Sequence, residues 1–174
     1  MTKITINRAP VLSLWAFVVA KRLGHSHDTA LTLAKAIAGM SAYAKAKSLG
    51  LVEKREPGER KEKPEARARF IVFMGRRIPV ALSPSGPLAL ASGKPIPPKS
   101  VEKYLAAKFG EHEDAVVAAM TKLARSRTPA KLAAEAFHLY EAFRPSIPAG
   151  VPGWGKAGVL DLKKIEHLAV QKKA

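Results

Sequence analysis

The chain contains no cysteine among its 174 residues. This absence excludes a disulfide-stapled scaffold, a thiolate zinc site and a cysteine nucleophile, and it fits a reducing cytosol. Aromatic residues are also few, at 6% of the chain, whereas the hydrophobic share of 47% is typical of a folded protein. A chain of this length can bury one good core, so we expect residues 1–174 to form a single domain.

A long apolar run is missing as well. The segment Ala9–Ala20 follows Lys3 and Arg8 and therefore imitates the start of a signal peptide. It is too short to span a bilayer, and no small-residue cleavage site follows it. We therefore expect neither a membrane span nor a cleaved signal, and we expect a cytoplasmic location.

Acidic residues are scarce. The 14 Asp and Glu stand against 30 Lys and Arg, which leaves a formal charge of +16. A charge of this size works against a compact state through self-repulsion, so it indicates a polyanionic partner, of which nucleic acid is the commonest. The surplus is uneven: residues 70–100 hold four basic and no acidic groups, whereas residues 101–143 hold six of each.

Apolar periodicity and capping residues predict a mostly helical α+β protein with about six helices and one small antiparallel sheet of three short strands. The helices are expected at about 10–23, 26–49, 99–109, 112–126 and 129–143, with a last short one from Asp161. The strands are expected at 70–74, 78–82 and 87–91. Residues 53–69 are highly charged and lack apolar periodicity, so we expect a loop or linker within the domain.

The helical segments should share one core. We expect it to include Trp15, Leu33, Ile37, Leu105 and Phe109. The second helix also carries alanines four residues apart, at Ala30, Ala34, Ala38 and Ala42. Such a stripe allows another helix to pack closely, and it could form the seam of a homodimer.

Residues 18–36 resemble the helix-turn-helix of bacterial repressors. Ala20, Gly24, Ser26 and Thr29 occupy the positions of its helix-crossing alanine, its turn glycine and its two hydroxyls. The resemblance implies hydroxyls that meet phosphate, with Thr32 and Lys35 reaching into a DNA groove.

Three features depart from that pattern. His25 stands where an apolar residue normally plugs the turn, the second helix is long for a recognition helix, and Asp28 would be repelled by DNA. An ordinary helical hairpin is therefore the favoured alternative for this segment.

A second candidate is Gly75-Arg76-Arg77, which lies between two predicted strands. Paired arginines at the tip of a hairpin can enter a groove or grip phosphates. The alternative is a solvated tight turn whose charges discourage aggregation at the sheet edge. The sequence leaves both interpretations open.

Motifs for catalysis, nucleotides or metals are weak. Residues 150–157 nearly match a P-loop, but Ala157 replaces the hydroxyl that would hold magnesium and no strand precedes the segment. His25 and His27 could hold a cation only loosely, and the polar cluster at 112–114 suits the first turn of a helix. We expect no cofactor and no metal, and the chain offers nothing that argues for an enzyme.

The two ends of the chain resemble those of small uncharacterised bacterial proteins. The resemblance lies in INRAPVLSLWAFVVAKRLG at the start and in FRPSIPAGVPGWGKAGVLDLKKI at the end. It implies that both ends belong to one bacterial unit, and it carries no activity.

These observations favour a non-enzymatic protein that binds nucleic acid, with double-stranded DNA expected, through phosphate contacts. Few aromatics stand in the basic stretches, which argues against a stacking platform for single strands. The alternative is a helical interaction or scaffold protein whose charge serves solubility or an acidic partner. Such a protein could be a homodimer. The candidate binding residues are Arg8, Lys21, Arg22, Thr32, Lys35, Lys45, Lys47, Arg76 and Arg77.

Overall fold

The structure is a computed structural model that describes residues 3–48, 69–84, 86–91, 93–146 and 157–170, with side chains described from 3–40 in the first range and from 158 in the last. The predicted loop at 53–69 lies outside these residues apart from Arg69, and the P-loop-like segment lies outside them apart from Ala157.

Helices dominate the described residues and confirm the mostly helical α+β class. They are α1 Arg8–Arg22, α2 His27–Ser48, α3 Pro98–Phe109, α4 Glu113–Arg125, α5 Pro129–Phe143 and α6 Leu162–Val170. A single 3₁₀ turn, Gly110–His112, separates α3 from α4. None of the helices in the described part of the chain is long and apolar enough to cross a membrane.

The helix starts follow local chemistry. Pro98 and Pro129 each occupy a first helical position, where the missing N–H would have had no partner in the helix. Thr128 precedes α5, and its hydroxyl accepts a hydrogen bond from the backbone N–H of Lys131 at 3.2 Å.

The three predicted strands are present in one antiparallel sheet, but the described residues add a fourth strand to it and form a second, two-stranded sheet, so the predicted number of strands and sheets was wrong. The strands are β1 Lys3–Asn7, β2 Arg69–Phe73, β3 Arg76–Ser83, β4 Gly86–Ala91, β5 Lys94–Pro95 and β6 Ala157–Asp161. The larger sheet has the order β2-β3-β4-β5, and the smaller one pairs β1 with β6.

The smaller sheet pairs Ile4 with Leu160, and both side chains are buried. Two five-residue strands carry too short an apolar pattern to be recognised locally, and their pairing spans most of the chain.

The core forms around α1. Trp15 has no exposed surface, and its ring meets that of Phe143 edge-on at 5.3 Å between centroids. Leu33, Ile37, Leu105 and Phe109 belong to the same buried cluster as Trp15, so the predicted set of core residues is confirmed. The buried residues of α1 cover most of its circumference, as expected for a central helix.

Candidate nucleic-acid interface

The β2–β3 hairpin has a two-residue tip, Met74–Gly75. Both tip residues have positive φ, 49° and 80° respectively, which is the backbone of a type I′ turn. Glycine adopts this conformation without strain. The turn places Arg76 and Arg77 directly after the tip, at the start of β3.

The two arginine side chains lie on opposite faces of the sheet. Arg76 pairs with Phe73, and Arg77 pairs with Val72. Paired residues of an antiparallel ladder share a face, and successive residues of a strand alternate between faces. Because Phe73 is only 3% exposed, it marks the core side, whereas Val72 is 74% exposed and marks the outer side. Both arginines are themselves exposed.

The sheet region carries uncompensated positive charge. Residues 69–101 contain Arg69, Arg76, Arg77, Lys94 and Lys99 and no acidic residue. The ion pairs found within the described part of the chain all lie elsewhere, at His27–Glu102, His112–Glu111 and Arg127–Glu135. Among the described residues, no carboxylate forms an ion pair with the hairpin arginines, so their charge attracts a polyanion there.

Acidic residues gather at a different place, where α3 meets α4. Burial raises the pKa of Glu113, and the nearby carboxylates of Asp114 and Glu102 raise it further. In the described residues no group of three or more His, Asp and Glu side chains is arranged to hold a metal ion. A polyanion is repelled from this acidic end of the two helices.

The turn that the helix-turn-helix resemblance implies is present between α1 and α2. Gly24 lies between α1 and α2 with φ of 103°, and Ser26 caps α2 by accepting from the backbone N–H of Thr29 at 3.3 Å. His25 fills the turn and meets the ring of Phe73 edge-on at 6.3 Å. Burial lowers the pKa of His25. The imidazole thus packs against the hairpin, as an apolar plug would.

The face of α2 that would read DNA is covered by β4. The Thr29 hydroxyl donates to the carbonyl of Pro87 at 2.6 Å, and the Thr32 hydroxyl accepts from the backbone N–H of Ala89 at 2.9 Å. Thr32 has no exposed surface, so the expectation that it reaches a DNA groove was wrong. These hydroxyls hold the sheet on the helix, which favours the helical hairpin.

Arg8 and Arg22 are half-buried, and their guanidinium groups donate hydrogen bonds to backbone carbonyls. Arg8 Nε donates to the carbonyl of Pro145 at 2.9 Å, and burial together with the neighbouring charge of Arg144 lowers the pKa of Arg8. Arg22 Nη2 donates to the carbonyl of Arg127 at 2.9 Å, just past the end of α4. Both arginines therefore connect distant segments of the chain.

The remaining predicted cations lie on helices. Lys21 and Lys35 are exposed, and each ammonium lies 5.9 Å from the centre of an aromatic ring, that of Phe17 and that of Tyr104 respectively. Lys45 and Lys47 belong to α2, in the part whose side chains are outside the description.

A groove of about 440 Å³ between α1 and α4 brings Lys21 and Arg22 together with Arg125. Its wall also includes Thr121 and the apolar side chain of Val117. Arg125 was not among the predicted residues, since only the packing of α4 against α1 brings it beside the other two.

Phe70 was also missed. Its sequence context, FIVFM, predicts a buried strand, yet its side chain is 40% exposed. The guanidinium carbon of Arg77 lies 4.4 Å from the centre of its ring. The only available signal was the spacing of two residues between Phe70 and Val72, which places both on one face of a strand.

Comparison with family models, curated proteins and solved structures gave no match for this chain. The resemblance of its ends to small bacterial proteins stays a prediction. The geometry of the hairpin and the distribution of charge are the features of this chain that bear on its function.

Proposed function

We propose that this protein binds nucleic acid without catalysing a reaction on it, and that the β2–β3 hairpin provides the main contact. The supporting observation is the exposed pair Arg76 and Arg77 at the hairpin tip, within a stretch of 33 residues, 69–101, that has no acidic group. Arginine suits this partner because its planar fork of donors matches the oxygens of a phosphate.

The hairpin is favoured over α2 because of what covers each element. The hydroxyls of Thr29 and Thr32 form hydrogen bonds with β4, whereas Arg76 and Arg77 are exposed directly after the tip of the hairpin. Lys35 and Lys21 provide secondary contacts from exposed positions. DNA would then be held through its phosphates, without readout of its base sequence.

The salt dependence of binding tests this proposal. Affinity for a DNA duplex, measured by fluorescence anisotropy, should fall with salt at a slope of about −0.9 per phosphate neutralised. The double variant Arg76→Ala/Arg77→Ala should weaken binding to all sequences and flatten that slope by about 2, since two phosphate contacts are lost. Lys35→Ala should flatten it by about 1 at most.

A matched control removes the same charge elsewhere. Lys163→Ala/Lys164→Ala deletes two exposed cations from α6 and leaves the hairpin intact. This control should keep most of the affinity and of the salt slope. Binding that is flat between low and physiological salt contradicts the proposal, as does a control that loses as much as the arginine variant.

The alternative, a helical homodimer along the alanine stripe, finds less support. Ala30 and Ala34 have no exposed surface because this half of the stripe packs inside the chain. An interaction or scaffold role stays a prediction, and light scattering together with a gel shift separates it from the main proposal. A dimer without affinity for nucleic acid favours the scaffold role.

A further inference from the structure

The sheet has an exposed apolar surface at its β2 end. Phe70 and Val72 of β2 share a face with Arg77 of β3, and we call this surface the outer face. Phe70 is 40% exposed and Val72 is 74% exposed. The opposite face carries Phe73 and Ile78, which are buried in the core. Large apolar side chains grouped at the surface indicate a partner that covers them.

Phe70 and Arg77 form a stacked pair on this face. Arg77 lies opposite Val72 in the ladder, so it is the diagonal neighbour of Phe70. Its guanidinium carbon sits 4.4 Å from the ring centre of Phe70. The contact holds the guanidinium over the ring, so that ring and guanidinium together offer a π surface with hydrogen-bond donors at its rim.

Charge narrows the choice of partner. An apolar protein surface on the outer face, or the same face of a second copy of this chain, would leave Arg77 without counter-charge, since residues 69–101 contain no acid. A single-stranded nucleic acid supplies phosphates for the arginines and unpaired bases for the stacked pair. A duplex supplies only the phosphates, because the faces of its bases are hidden in the stack.

We propose that the outer face, formed by Phe70, Val72 and Arg77, is a stacking site for an unpaired base, so that the protein prefers single-stranded DNA or RNA. This inference rests on the proposed nucleic-acid function and sets its substrate class. It replaces the expectation of a duplex partner, which depended on a helix-turn-helix whose hydroxyls the sheet covers. It also replaces the expectation that the chain lacks a stacking platform.

Three labelled probes test the proposal by fluorescence anisotropy: an oligothymidylate, an abasic oligomer of equal length, and a duplex of equal length. The abasic oligomer keeps the phosphates and removes the bases. The wild-type protein should bind the oligothymidylate about ten-fold more tightly than the abasic oligomer, from the stacking of one base. The duplex should bind no more tightly than the abasic oligomer.

The variants separate stacking from charge. Phe70→Leu keeps an apolar side chain and removes the ring, and Arg77→Lys keeps the charge and removes the plane. Phe70→Leu should lose about five-fold or more on the oligothymidylate and nothing on the abasic oligomer, and Arg77→Lys should lose about five-fold more on the oligothymidylate than on the abasic oligomer. Arg76→Lys is the matched control, since it makes the same chemical change on the opposite face; any affinity that it loses with its phosphate contact should be lost equally on the oligothymidylate and on the abasic oligomer, so that the ratio of the two affinities stays that of the wild type. Circular dichroism checks that all three variants fold.

The outcomes distinguish the two proposals. If the wild type binds the oligothymidylate and the abasic oligomer equally and both bindings are salt-dependent, the stacking site is wrong and the phosphate contacts stand. If none of the three probes binds, both proposals fail. If the wild type is a dimer and Phe70→Leu makes it monomeric, the outer face is an interface between copies and the stacking proposal is overturned.

Discussion

The indole nitrogen of Trp15 donates a hydrogen bond to the backbone carbonyl of Ala136 at 2.9 Å. The two residues are 121 positions apart in the chain, and the bond joins α1 to α5 in the interior. Trp15 has no exposed surface, so water cannot replace either partner. The largest side chain of the core is thus positioned by packing and by one directed polar contact.

Replacing Trp15 with Phe should therefore lower the free energy of unfolding by more than the loss of side-chain volume alone would. The change keeps an aromatic ring but removes the only donor of the indole, and it should lower the free energy of unfolding by about 1–3 kcal/mol for the unmade hydrogen bond, besides the cavity. Urea denaturation followed by circular dichroism measures it. Phe17→Leu, at a half-buried position of α1, is a control, and equal losses for the two variants would contradict the argument.

Thr32→Val should destabilise the fold and leave nucleic-acid binding unchanged. The two side chains have the same shape, but valine leaves the buried N–H of Ala89 without its acceptor, a loss of about 1–3 kcal/mol. Thr32→Ser keeps the hydroxyl and should recover much of that loss. A Thr32→Val protein with normal urea stability and impaired duplex binding would restore the helix-turn-helix interpretation.

Arg22→Ala should lower the free energy of unfolding, whereas Lys21→Ala should change it little. Arg22 holds the carbonyl of Arg127 beyond α4, so we expect its removal to lower the free energy of unfolding by about 1.5–3 kcal/mol, the range for hydrogen bonds to charged groups. Lys21 is exposed, and its loss should stay within about 0.5 kcal/mol. Arg22→Lys should rescue poorly because an ammonium lacks the planar fork. A full rescue by lysine would show that charge alone matters.

His25 should make stability depend on pH. Burial lowers its pKa in the folded protein below the ordinary 6.5, so the unfolded chain binds a proton at a pH where the folded protein does not. The free energy of unfolding should therefore fall as the pH drops through about 6.5. The loss should level off below the folded pKa.

The variant His25→Gln isolates this effect, because it removes the titrating group and leaves the other charges in place. The difference in stability between wild type and variant should change with pH only in that window. Histidine ring signals in NMR give the titration midpoint directly, and a midpoint at or above 6.5 would refute the prediction.

The hairpin of the candidate site could be predicted from the sequence. Gly75-Arg76-Arg77 between two apolar runs predicts a hairpin with an arginine tip, and the structure has that hairpin. The exposure of Phe70 was not predictable, because a residue in an apolar strand is buried or exposed according to what packs on that face. The opposite error concerns Thr32. It was expected to be exposed on a recognition helix, but its hydroxyl lies beneath a strand that begins more than fifty residues later.

The sequence by itself determined the helical class, the positions of most helices and the basic character of the sheet region. α5 begins at Pro129 and ends at Phe143, as predicted, because a proline start, a threonine cap and a following Arg-Pro act within a few residues of each other. Tertiary structure decided the pairing of β1 with β6, the burial of Thr32 under β4 and the exposure of the Phe70–Arg77 pair. Each of these depends on contacts between segments far apart in the chain, and local propensity carries no information about such contacts.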